Sequence, residues 1–188
     1  IAAKPNPGSK IKILFLSHSH ELGGAELALF DMIEHLIGKG LDLEPFFVVP
    51  GAGDFIIKVT EKGWKYKVLN FGPWIWGDIP HHPEDIFRER MRNMQAVKSL
   101  QSLIKRGGFD VVFTNTLVCP WAAIASGLQG VPHIWYVHEY GDDDHGLKFE
   151  QGRRATLRDI GQMSDMVIAN SLAVGERLAS EIPKSKIF

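Results

Sequence analysis

The chain has 188 residues, 45% of them hydrophobic, with 21 Lys plus Arg set against 22 Asp plus Glu. That length supports one full domain with a real core, and the near-balance of charge gives no reason to expect nucleic acid or an anionic membrane surface as a partner. A single cysteine, Cys119, excludes an internal disulfide framework and fits a reducing compartment, and no apolar run approaches the roughly 20 residues of a membrane span.

Residues 1–9 are rich in Pro, Gly, Ser and Lys, begin with Ile rather than Met, and carry no signal-peptide pattern. They read as a linker or appended tail, so a piece of a longer protein is expected, with residues 10–188 as its folded domain. Residues 11–36, IKILFLSHSHELGGAELALFDMIEHL, open on an apolar run too short for a helix, as expected of a parallel strand buried on both faces. A polar stretch leads to Gly23 and Gly24, and from Ala25 the residues Leu29, Met32, Ile33, Leu36 and Ile37 recur at helical spacing. A glycine turn at a helix N-terminus lets backbone amides and the positive end of the helix dipole approach an anion. The same pair also serves as a plain strand-to-helix turn, and both readings stay open. Glu26, in the first turn, suits a role in stabilising that helix end.

The second strand, 43–49, ends in Pro50-Gly51 where a dinucleotide fold carries an acidic residue, and neither G-x-G-x-x-G nor a P-loop occurs. A standard NAD site and a P-loop are therefore not expected. A helix over 54–62, a strand over 66–69 and a loop over 70–83 rich in Pro, Gly and Trp follow. A long helix is predicted over 84–105, with Ile86, Met94, Val97, Leu100 and Ile104 as its stripe and Gly107-Gly108 as its stop. Next come a strand at 110–114, a helix at 120–128, a strand at 131–137, an acidic loop at 141–146, a helix at 149–162, a strand at 166–169 and a helix at 172–180.

Strands regularly followed by helices predict a doubly wound α/β domain, a Rossmann-like parallel sheet in three layers. Ligands in such sheets bind at the carboxyl ends of the strands. Ser17, His18, Thr114, Asn115, His138, Glu139, Asn170 and Ser171 fall at that edge, although several would serve equally as helix N-caps.

Four segments occur in a telling order: HELGGAE at 20–26, FDVVFTNT at 109–116, IWYVHE at 134–139 and SDMVIANS at 164–171. Together they resemble the N-terminal domain of retaining, group 1 nucleotide-sugar glycosyltransferases with the GT-B fold. The resemblance covers nearly the whole chain and implies one half of a two-domain enzyme. Its partners would be a nucleotide-sugar donor, a glycan, lipid or small-molecule acceptor, and its own C-terminal donor-binding domain, which this sequence does not contain. It implies no metal and no other cofactor, and a cytoplasmic location with peripheral membrane association open for the intact enzyme. By motif, Gly23 and Gly24 would approach the donor diphosphate and sugar, and His138 would position the sugar for catalysis. Glu139 and Ser171 would complete the donor contact. Alone, the domain is expected neither to turn over nor to bind nucleotide sugar tightly.

The aromatic loop offers Trp74 and Trp76 as an acceptor platform, with His18 and Asn115 as further acceptor contacts, although a loop folded onto the domain with its tryptophans buried is the commoner outcome. His81-His82 lacks a spaced third metal ligand. Asp142, Asp143, Asp144 and His145 read as a solvated loop or a flap over the acceptor rather than a cation site, and Arg153 and Arg154 as helix-surface charges. Two other readings remain: a non-catalytic Rossmann-like binding domain, and a GT-B nucleotide-sugar epimerase.

Overall fold

The computed structural model describes residues 10–77 and 82–188, so the expected tail at 1–9 and His81 lie outside the described residues. Six strands form one parallel sheet: β1 (Ile11–Leu16), β2 (Leu43–Val49), β3 (Lys65–Val68), β5 (Val111–Thr114), β6 (His133–Val137) and β8 (Met166–Ala169). Their order is β3-β2-β1-β5-β6-β8, the two-halved Rossmann arrangement in which the chain reverses direction across the sheet beside β1. The crossovers are α1 (Gly24–Gly38), α2 (Asp54–Glu61), α3 (Pro83–Gly107), α4 (Trp121–Gln129) and α6 (Arg153–Met163), with α7 (Leu172–Leu178) after β8.

Because side chains alternate along a strand, each central strand feeds two cores. Phe15 packs with Phe30, Phe47 and Phe55 under α1 and α2, whereas Leu14 and Leu16 join Leu100, Ala122 and Trp135 under α3 and α4. Phe15 stacks on Phe47 at 5.4 Å, and Phe30 lies 5.8 Å from Trp64, so the first core is largely aromatic. The long helix stops where expected, with Gly108 in the left-handed region at φ 61° and its N–H bonded to the Ile104 carbonyl.

Two local departures bear on the site. The expected helix over 149–162 begins only at Arg153, because Lys148 and Phe149 form a short strand, β7, paired antiparallel with β4 (Ile75–Trp76). A strand of two residues has no period to read, so the sequence shows neither partner. The acidic segment folds into one helical turn, α5 (Asp142–His145), entered through Gly141 at φ 93°. Asp144 accepts the N–H groups of Tyr140 and Gly141 at 2.7 and 2.8 Å, while Asp142 pairs with Arg153 and Asp143 with Arg177. These ion pairs join the turn to α6 and α7, while Asp143, Asp144 and His145 stay exposed to solvent as expected. Among the described residues no helix is long and apolar enough to cross a membrane.

Candidate functional site

The carboxyl ends of β1, β5, β6 and β8 open onto a cleft of about 1000 Å³. One wall is the glycine turn. Gly23 caps α1 in extended backbone, and its N–H is donated to Glu26 Oε2 at 3.2 Å. The other oxygen, Oε1, accepts the Ser17 hydroxyl at 2.7 Å, and both Ser17 and Glu26 are buried. Glu26 thus caps its own helix, as its position in the first turn predicts. The glycine pair divides accordingly. Gly23, expected to approach the donor diphosphate, has its amide bonded to Glu26 in this structure. Gly24 borders the cleft, and nothing lies within 4 Å of where its Cβ would be. The amides of Gly24 and Ala25, at the first two helical positions, have no intrahelical carbonyl to bond.

The opposite wall is His138, just beyond β6. Its ring lies 3.9 Å from that of Tyr136, and its Nε2 is 2.9 Å from Asn115 Oδ1. Its backbone is held as well: Glu139 Oε2 accepts the His138 N–H at 3.0 Å, and Asn170 Nδ2 donates to the His138 carbonyl at 3.1 Å. Burial holds the imidazole below its ordinary pKa, against the upward pull of the Glu139 and Glu26 carboxylates, so it is neutral near pH 7. His18, also expected at this edge, borders the space too, with Nδ1 3.8 Å from Glu26 Oε1.

Several expected contacts lie elsewhere. Asn115 is fully buried, so it cannot meet an acceptor; it donates through Nδ2 to the Ala25 carbonyl at 3.1 Å and supports His138 instead. Glu139 lines the cleft, but Oε1 already accepts the Thr116 hydroxyl at 2.8 Å and the Leu117 N–H at 2.9 Å. Ser171 caps α7 by accepting the Val174 N–H at 3.3 Å and borders a separate groove beside the end of the chain. Trp74 donates its indole N–H to the Leu117 carbonyl at 2.8 Å and stacks 6.2 Å from Trp135. It faces the grooves beside α3 and α4 rather than the cleft, so at Trp74 the chain folds onto the domain. Trp76 contributes backbone pairing with Lys148. Arg153 is paired with Asp142 and Arg154 with Glu181, the latter at 2.6 Å.

Residues that strand-end position alone did not single out are Tyr136, against the His138 ring, and Thr116, which links Glu139 to the Val118 N–H at 3.1 Å. Their signal is present in the quoted IWYVHE and FTNT segments, but only folding shows which polar atoms meet. His145, from the acidic turn, lines the same cleft.

Residues 22–188 match the family model for Glycosyltransferase Family 4. A search of curated proteins finds no significant match. Among solved structures, Anabaena Alr3699/HepE in complex with UDP-glucose superposes with a TM-score of 0.62 at 20% identity, over 95% of this chain and 43% of that one. A glycosyltransferase from Rickettsia africae gives 0.62 at 18% identity, over 95% and 42% of the two chains. The UDP-GlcNAc 2-epimerase of Methanocaldococcus jannaschii gives 0.58 at 15%, over 95% and 45%. At these identities the likeness is one of fold, and the chain spans less than half the length of each. Because the family model covers residues 22–188, with the glycine turn and both walls of the cleft inside the match, the chain belongs to glycosyltransferase family 4, as one Rossmann-like half of the GT-B architecture.

Proposed function

We propose that this domain is the acceptor-side half of a retaining glycosyltransferase whose intact form moves a sugar from a nucleotide-sugar donor to an acceptor hydroxyl. The observation that carries the reading is that His138 and the pair Gly24 and Ala25, whose amides bond no described residue, line one cleft from two different strand ends. Glycosyl transfer develops positive charge on the sugar and negative charge on the departing diphosphate. Amides fixed at a helix N-terminus stabilise that negative charge without reorganising, and a neutral histidine beside the sugar orients a hydroxyl. No metal is required by this scheme. The complex of HepE with UDP-glucose supports a uridine nucleotide sugar as the donor class, and in this reading a second domain would hold the nucleotide and deliver the sugar. By itself the 188-residue chain would then bind a nucleotide sugar only weakly; micromolar affinity by calorimetry would count against the division of labour.

In the enzyme joined to its donor-binding half, His138→Ala is expected to lower kcat by about 10²-fold or more while the unfolding curve stays native. A rate within threefold of the parent would refute the role. Product analysis separates transfer from epimerisation, which would return the sugar nucleotide itself in altered configuration.

A further inference from the structure

We propose that Asn115 is the positioning residue of this cleft: it sets the tautomer of His138 and ties the imidazole to the first turn of α1, so that Nδ1 alone is left to accept a hydrogen bond from a substrate hydroxyl. The argument is one of donors and acceptors. A backbone carbonyl can only accept, so the atom of Asn115 that lies 3.1 Å from the Ala25 oxygen must be the amide nitrogen. The side-chain oxygen is then the atom 2.9 Å from His138 Nε2, and an amide oxygen can only accept. Nε2 therefore carries the proton. In a neutral ring, Nδ1 is left with a lone pair, and none of the described residues bonds it.

The arrangement has a mechanical side. Asn115 stands at the end of β5 and is fully buried, so its orientation is dictated by packing. It joins the helix whose N-terminus faces the diphosphate to the histidine that faces the sugar. With Glu139 on the His138 N–H and Asn170 on its carbonyl, ring and backbone are both held. In a neutral ring so placed, His138 receives a hydrogen bond from a sugar hydroxyl and has no proton to offer the departing phosphate. The identity of that hydroxyl rests on the transferase reading above, whereas the tautomer does not.

The test is NMR of the chain with ring-labelled histidine at pH 7.5, the His138 signals being identified by their loss in His138→Gln. The wild type is expected to show a single Nε2–H tautomer with a ring proton visible in water. Asn115→Ala should lose that proton signal to exchange, and Asn115→Asp, which keeps an acceptor oxygen, should retain it. An Nδ1–H tautomer in the wild type overturns the assignment, and so does an unchanged ring-proton signal in a folded Asn115→Ala chain. Loss of the signal in Asn115→Asp would equally overturn it, and this arm decides together with the wild-type tautomer if the Ala variant does not fold. Failure of the transfer assay leaves these spectra untouched, so the two readings fall separately.

Discussion

Replacing Glu139 should destabilise the fold before it affects any ligand. Its carboxylate receives three hydrogen bonds, from the Thr116 hydroxyl, the Leu117 N–H and the His138 N–H, at 2.8, 2.9 and 3.0 Å. Thr116 and Leu117 are almost completely buried, so in Glu139→Ala their donors lose an anionic partner where water reaches poorly. Hydrogen bonds to a charged group contribute about 1.5–3 kcal/mol each, but they are not additive, and water can replace part of the loss at the half-exposed His138. A cost of about 3–4 kcal/mol is expected for the alanine. Glu139→Gln is the sharper variant: its oxygen can still serve Thr116 and Leu117, while its NH₂ group is turned toward the His138 N–H, donor against donor. About 1–2 kcal/mol follows from one bond lost and one repulsive contact. At roughly 2–4 °C per kcal/mol for a domain of this size, the alanine variant should melt about 6–16 °C lower and the glutamine variant about 2–8 °C lower. Urea unfolding and thermal scans of the 188-residue chain measure both. Two variants within 0.5 kcal/mol of the wild type would refute the bonding scheme, and equal losses for Ala and Gln would refute the donor-donor argument.

Gly24→Ala places a methyl group where nothing lies within 4 Å, so stability should change by less than about 0.5 kcal/mol. In the intact enzyme the same methyl would obstruct the approach to the helix N-terminus, raising KM for the nucleotide sugar; unchanged kinetics would remove Gly24 from the diphosphate site. His133 is buried with a pKa pushed down to about 3 by desolvation, so the folded chain keeps it neutral while the unfolded chain protonates it below about 6.5. The unfolded state then binds more protons, and stability falls with pH from about 6.5 to about 3. Between pH 8 and pH 5 the wild type should lose about 2 kcal/mol more than His133→Gln in urea unfolding, and parallel curves would contradict this. Trp74→Ala, if the ring serves the core beside Trp135 rather than an acceptor, should cost about 2–3 kcal/mol of stability. A fully stable variant with a raised acceptor KM would restore the platform reading.

Much of the architecture was legible because it repeats. The switch between strand and helical periods marked each of the six sheet strands to within about two residues, and Gly108 marked the end of α3. The four ordered segments pointed to the family, strand-end position pointed to His138, and the glycine turn before a helical repeat pointed to Gly24. Elements without a period were not legible: β4 and β7 have two residues each and exist only because each pairs with the other.

The roles at the site divide along the same line. Sequence alone decided which residues reach the carboxyl edge of the sheet, because strand length and alternation determine where each strand ends. It could not decide which of them face the cleft. Gly23 and Gly24 are adjacent, yet one amide is taken by Glu26 and the other bonds none of the described residues. Asn115 finds Ala25 across 90 residues and His138 across 23, and that pair of bonds turns an expected acceptor contact into a buried support. A polar side chain bonds the nearest unmet donor or acceptor in space. Only the tertiary structure decides which one that is.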